Sequence, residues 1–167
     1  MNKKGVSISL YLIGMLVIVL VLAISAIVFS KVFLDVTGEL KDVDKFSNNT
    51  VNTIEFVESH TIPLLDNLVL WVFVGSFLGL ILLAYFADLP PILIIIFILV
   101  IILAVILSGL FANIYAEVTE NSALSATSTQ FNFSNLILGS WFPMIVLVAG
   151  IIMVVVLFNR RGGVSPV

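Results

Sequence analysis

A chain of 167 residues that is 61% hydrophobic, with a mean hydropathy of +1.27, is too apolar for a water-soluble domain and long enough for one membrane domain. Its formal charge of −3 comes mainly from seven acids between Asp35 and Asp66, which outnumber Lys41 and Lys45; phosphate binding needs a basic patch, so no nucleic-acid partner is expected. The absence of cysteine excludes disulfides, thiolate catalysis, iron–sulfur clusters and Cys-based zinc sites.

Charge is confined to the gaps between apolar runs. Residues 5–30, 67–87, 89–116 and 121–159 contain no Asp, Glu, Lys or Arg. Each run holds the roughly 20 apolar residues that a helix needs to cross a hydrocarbon core about 30 Å thick. The expected fold is therefore an all-α membrane protein, one domain over residues 1–167. It has four transmembrane helices at about 6–29, 68–86, 92–111 and 136–158, with outer loops at about 31–67 and 113–135.

Span 1, from about Val6 to Phe29, is longer than the roughly 7–15 apolar residues of a secretory signal and lacks an A-x-A-like exit, so it reads as a retained helix. Lys31 is placed to snorkel at the far interface. Beyond it, Phe33, Val36, Leu40, Val43 and Phe46 recur at spacings of three and four, which predicts an amphipathic helical extension over 31–47. Ser47-Asn48-Asn49-Thr50 reads as a turn. Val51, Ile54 and Phe56 or Val57 predict a second short helix ending before Pro63. The two form an outward amphipathic helical hairpin that feeds into span 2, Leu68 to Phe86.

Ala87-Asp88-Leu89-Pro90-Pro91 is the tightest connection, and its prolines start span 3, where a missing N–H costs little. Span 3 runs from about Ile92 to Phe111. Residues 113–135 form a second loop rich in Ser, Thr and Asn, with Glu117 and Glu120 and room for a short surface helix within 118–130. Span 4 runs from about Leu136 to Phe158, with Trp141 and Phe142 as interfacial aromatics near its start. The tail beyond Asn159 is too short to fold.

Lys3 and Lys4 at one end and Arg160 and Arg161 at the other fall on one side of a four-span protein, which the positive-inside rule makes cytoplasmic or interior. Both loops then face outward, although Lys31, Lys41 and Lys45 in the first run against the rule. The sequons at Asn48 and Asn132, the candidate glycosylation sites, fall in those outward loops.

Two features concern helix packing. Gly75-Ser76-Phe77-Leu78-Gly79 is a GxxxG, and Ala104, Ser108 and Ala112 form a small-residue ridge on span 3. Small residues four apart let helix backbones approach closely in lipid. The tight connection favours pairing these ridges within the chain; homo-oligomerisation is the alternative. His60, the single histidine, has Glu55, Glu58 and Asp66 nearby, but helical spacing does not converge them on a metal, and a solvated histidine is expected. Asp35, Glu39, Asp42 and Asp44 lack the alternating ligand loop with a central glycine that defines a high-affinity calcium site.

No cofactor or metal is expected, and no enzyme: every candidate acid or base lies in a loop without a convergent partner. Ion-coupled transport normally uses an ionisable group at mid-membrane, and the spans carry none.

Lys3-Lys4-Gly5-Val6-Ser7-Ile8-Ser9-Leu10 resembles the start of archaeal class III, prepilin-like signal sequences, over about 30 residues. Three further spans depart from that single-helix family. Over residues 87–158 several features follow in order: Leu-Pro-Pro, an Ile-rich span, Ala112-Asn113-Ile114-Tyr115-Ala116-Glu117, a Ser/Thr loop and Trp141-Phe142-Pro143. This order resembles small uncharacterised four-span integral membrane proteins of archaea and prokaryotic viruses. That resemblance implies no catalytic residues and points to a virion or viral membrane component.

The expected function is a non-enzymatic structural or assembly protein of a larger membrane complex, such as a virion membrane protein contacting a coat or shell. Its expected partners are the lipid bilayer and proteins met through the outward loops and small-residue faces. An accessory subunit of a respiratory or transport complex and a holin-like permeabilising protein are the alternatives.

Overall fold

A computed structural model describes residues 3–41, 48–86 and 91–162. They form α1 (Lys3–Lys41), α2 (Asn48–Phe86), α3 (Pro91–Glu120), α4 (Ser125–Ser128), α5 (Asn132–Leu138) and α6 (Phe142–Gly162). Among the described residues, α1, α2, α3 and α6 are long and apolar enough to cross a membrane, so the protein is an all-α, four-span integral membrane protein.

Each long helix buries one stripe at helical spacing. The stripes are Leu12, Leu16, Val19, Ala23 and Ile27 on α1, and Val69, Phe73, Phe77, Leu80 and Ala84 on α2. On α3 they comprise Ile94, Phe97, Ile101, Ala104, Ser108, Ala112 and Tyr115, and on α6 Phe142, Val146, Met153 and Leu157. The opposite faces carry exposed Leu, Ile and Val, as lipid contact requires. Lipid is as apolar as these side chains, so van der Waals fit holds the bundle, not a hydrophobic force.

The helices form a ring in which α1 packs on α2 and α3, and α6 on α3 and α2. Spans 2 and 3, consecutive in the chain, therefore sit across a diagonal, and the expected pairing of their small-residue ridges does not occur. Ala104, Ser108 and Ala112 are buried, but Gly75 is exposed, and a Cβ on Gly75 or Gly79 would meet nothing within 4 Å. The close approach lies at Gly150, where a Cβ would fall 2.5 Å from Ile101 Cγ2. The α3–α6 contact needs that glycine.

Several boundaries differ from expectation; among them α3 runs on to Glu120 and α6 to Gly162. The outer helix after the turn does not end before Pro63, because α2 runs through it; Ser59 and Pro63 are exposed, so the Ser59 carbonyl freed by proline lies on the open face outside the hydrocarbon. Asn48, Asn49 and Thr50, expected in a turn, are already α2.

Span 4 differs too: it begins at Phe142 rather than Leu136. Residues 132–138 are a separate helix that stops at Gly139, whose backbone is extended and whose Cβ would lie 2.4 Å from the Asn135 carbonyl oxygen. Only glycine makes that exit, and α6 then begins at Phe142 with Pro143 in its first turn. The short helix expected within 118–130 is present as α4, after α3 has continued to Glu120.

At about 1.5 Å per residue, the 39-residue helices α1 and α2 are each nearly 60 Å long, twice the hydrocarbon core. Their outer parts project as the expected hairpin, but its packing face differs. Val36 and Leu40 point outward, while Leu34, Thr37 and Lys41 face α2. Glu58 accepts hydrogen bonds from the Thr37 hydroxyl and the Lys41 ammonium. A polar seam thus closes the hairpin where an apolar one was expected. Val43, Phe46, Asp42, Asp44, Lys45 and Asp88 lie outside the described residues.

Candidate functional site: a polar latch at the outer interface

Near the outer ends of the spans a chain of buried polar groups joins α2, α3, α4 and α5. Its centre is Asp66, one turn after Pro63 and 4% exposed. The Phe133 N–H donates to one carboxylate oxygen at 2.8 Å; the Ser134 N–H and hydroxyl donate to the other, both at 2.8 Å. The two amides are the second and third of α5, the pair a helix N-cap ordinarily satisfies. The residue in the N-cap position, Phe131, makes no side-chain cap. Asp66 therefore caps a helix that begins 66 residues further along the chain, and its negative charge lies at the favourable end of the α5 dipole.

A second set of bonds runs alongside. The Tyr115 hydroxyl on α3 donates to Asn135 Oδ1 at 2.8 Å, and Asn135 Nδ2 donates to the Ser128 carbonyl at 2.9 Å. The Ser128 hydroxyl returns to the Thr119 carbonyl at 3.1 Å. Tyr115, Ser128 and Ser134 are buried, and Phe131 and Phe142 pack around the site, with the Phe142 ring centroid 6.4 Å from that of Phe73. The two bonds from Ser134 to Asp66 are buried, where water competes least; the others are part-buried. One buried hydroxyl near the outer end of span 1 stands apart: Ser30 Oγ has no partner among the described residues.

The chemistry of this arrangement is holding. The Asp66 carboxylate is engaged by three fixed donors, and the tyrosine hydroxyl is committed to an amide. The hairpin contact is of a different kind. Glu58 lies in the extramembrane hairpin, and its hydrogen bonds from Lys41 and then Thr37 hold its carboxyl below the ordinary value of 4.5.

The residues singled out in the sequence lie mostly elsewhere. His60 is exposed, lies tilted against Phe56 at a centroid distance of 4.1 Å and has Nδ1 2.8 Å from the Phe56 carbonyl oxygen. Among the described residues no three His, Cys, Asp or Glu side chains converge on a metal site. Asn132 is exposed at the first turn of α5, but the hydroxyl of its sequon, Ser134, is buried on Asp66. Asn48 begins α2.

The latch was not read from the sequence. Its signal was an acid at the junction of polar and apolar segments, paired with a second loop rich in Ser, Thr and Asn whose last part, 121–135, is free of charge. Compared with protein-family models, curated proteins and solved structures, the chain has no match.

Proposed function

We propose that this protein is a non-enzymatic structural or assembly subunit of a larger membrane complex. Its termini lie on the cytoplasmic or interior side, and its two outward segments form a docking platform. The observation that carries this reading is the latch. Asp66, Tyr115 and Asn135 tie the second outer loop to spans 2 and 3 at their outer ends. Those spans thereby support one fixed surface.

The neighbouring hairpin carries Val36, Leu40, Phe56 and Val57 exposed beyond the level at which the spans end. Apolar side chains held outside lipid favour a protein contact. A virion membrane, where the partner would be a coat or shell protein, is the setting the resemblance of residues 87–158 favours.

The test is site-specific photocrosslinking in native membranes from Val36 and Phe56, with Leu99 on the lipid face of α3 as reference. One discrete protein adduct from both hairpin positions, and none from Leu99, is the expected result. Lipid adducts alone at all three, together with a monodisperse monomer in mild detergent, would overturn the proposal.

A further inference from the structure

The hairpin above the membrane is held far more thinly than the spans below it. Among the described residues of its two segments, 31–41 and 49–61, Thr37 alone is fully buried. Val51, Ile54, Glu58 and Thr61 recur at spacings of three and four as a half-buried stripe, and Glu58 sets that stripe against α1. From Ile62 inward the pattern changes: Ile62, Asp66, Val69 and Phe73 are all buried. Segments with few buried apolar contacts open locally at far lower cost than a core. Among the described residues, the node where Glu58 accepts from Thr37 and Lys41 is the deepest fastening the hairpin has.

α2 is weakest where these two regimes meet. Pro63 has no N–H, so the Ser59 carbonyl lacks its helical bond, and the proline ring crowds that same carbonyl. Side chains loosen the preceding turn further. The Ser59 hydroxyl donates to the Phe56 carbonyl at 2.9 Å and the Thr61 hydroxyl to the Val57 carbonyl at 2.7 Å. Back-bonding of this kind weakens the backbone ladder and bends helices, and sharp bends gather at proline. α1 has no proline and runs unbroken beside it to Lys41. One wall of the hairpin is therefore stiff and the other is jointed. On the membrane side of the joint, Asp66 is held by Phe133 and Ser134.

We propose that residues 48–58 of α2 form an arm that swings about the Ser59–Pro63 turn, with the Thr37–Glu58–Lys41 node as its catch. Six residues join Lys41 to Asn48, which limits the gap between those two to about 25 Å. Packed helix axes lie roughly 8–10 Å apart, so the tip of the arm has about 15 Å of travel. Opening uncovers Leu34, Val51 and Ile54, which the closed hairpin half-buries. The Asp66 latch keeps the motion from reaching the spans. The outer surface thus has two shapes above one fixed membrane bundle.

The chain has no cysteine, so paired cysteine substitutions carry spin labels at chosen sites only. Glu39→Cys with Asn52→Cys reports the arm, and Val28→Cys with Leu68→Cys reports the bundle below the joint; all four positions are exposed. Double electron–electron resonance on the full chain in lipid nanodiscs is the test. In Glu58→Ala the 39–52 distance should lengthen by roughly 5–15 Å while the 28–68 distance stays unchanged. Adding Pro63→Ala restores the missing helical bond and should return the outer pair to its wild-type distance. Pro63→Ala alone should slow hydrogen exchange of the 52–58 amides by about threefold or more. An unchanged 39–52 distance in Glu58→Ala overturns the proposal, as does equal lengthening of both pairs, which places the loosening in the bundle. A chain with both substitutions that stays open refutes the joint, and so does unslowed exchange in Pro63→Ala.

Discussion

Glu58 and Asp66 lie about two turns apart on one helix, and each accepts hydrogen bonds from another part of the chain, yet the two contacts differ in kind. Glu58 is partly exposed and takes a formal cation, Lys41, and a hydroxyl. Asp66 is buried and takes three neutral donors. The Lys41–Glu58 pair is partly open to water, which weakens it. Asp66 is harder to replace, because removing it leaves the buried Ser134 amide and hydroxyl, and the part-buried Phe133 amide, without their acceptor. A carboxylate without a cation is thus the stronger fastening here. The comparison separates a hairpin that can open cheaply from a loop that cannot.

The largest test of that contrast is Asp66→Ala. Two buried donors and one part-buried donor left without an acceptor should lower stability by about 2–3 kcal/mol. Thermal unfolding in micelles would read this, and hydrogen exchange should locate the loss at Phe133 and Ser134. A loss no greater than that of Glu58→Ala would erase the distinction.

Next in size is Tyr115→Phe, which removes a single bond and leaves Asn135 Oδ1 unpaired, with an expected cost of about 1–2 kcal/mol by the same assay. Ser30→Ala should go the other way or stay level. It deletes a buried hydroxyl that has no partner among the described residues, and the variant should be as stable as wild type or more stable by up to about 1 kcal/mol.

Smallest is Glu58→Gln, at about 1 kcal/mol or less near neutrality. Its value lies in its pH dependence. The folded pKa of Glu58 is depressed, so its contribution is present above the ordinary carboxyl value of 4.5 and fades as pH falls through the lower folded value. The stability gap between wild type and Glu58→Gln should therefore close on acidification below about pH 4.5. A gap that widens toward acid would mean that the sign of the Lys41 contact is wrong.

How much of this could be read from the chain depends on the solvent. The spans were legible because lipid excludes charge, and 67–87 and 89–116 announce themselves by having none. Which face of each span turns inward was not legible. Ile95 and Leu99 face lipid while Ile94, Phe97 and Ile101 face protein, so polarity does not separate the two sides. The pairing of spans 2 and 3 failed for the same reason, since adjacency in the chain stood in for missing packing information.

The hairpin is expected from Phe33, Val36 and Leu40, but Val36 and Leu40 lie on an exposed face, and the seam is set by Thr37 and Lys41. The separation of α5 from span 4 rests on one glycine whose neighbours carry no charge to flag it. Asp66 was visible as a residue and invisible as a site, because its partners lie 67 and 68 positions away.

That distance also orders events during synthesis. Asp66 is made with the second span, long before residues 133 and 134, and its three donors arrive only after span 3 has returned the chain to the side on which Asp66 lies. Until then the carboxylate stands solvated at the interface. The latch can close only if spans 2 and 3 have crossed in opposite directions and the outer loop has emerged beside α2. A chain that misses one crossing leaves Asp66 on one side of the membrane and its donors on the other. The residue that fastens the finished fold therefore also verifies its topology, at the moment the last span is ready to insert.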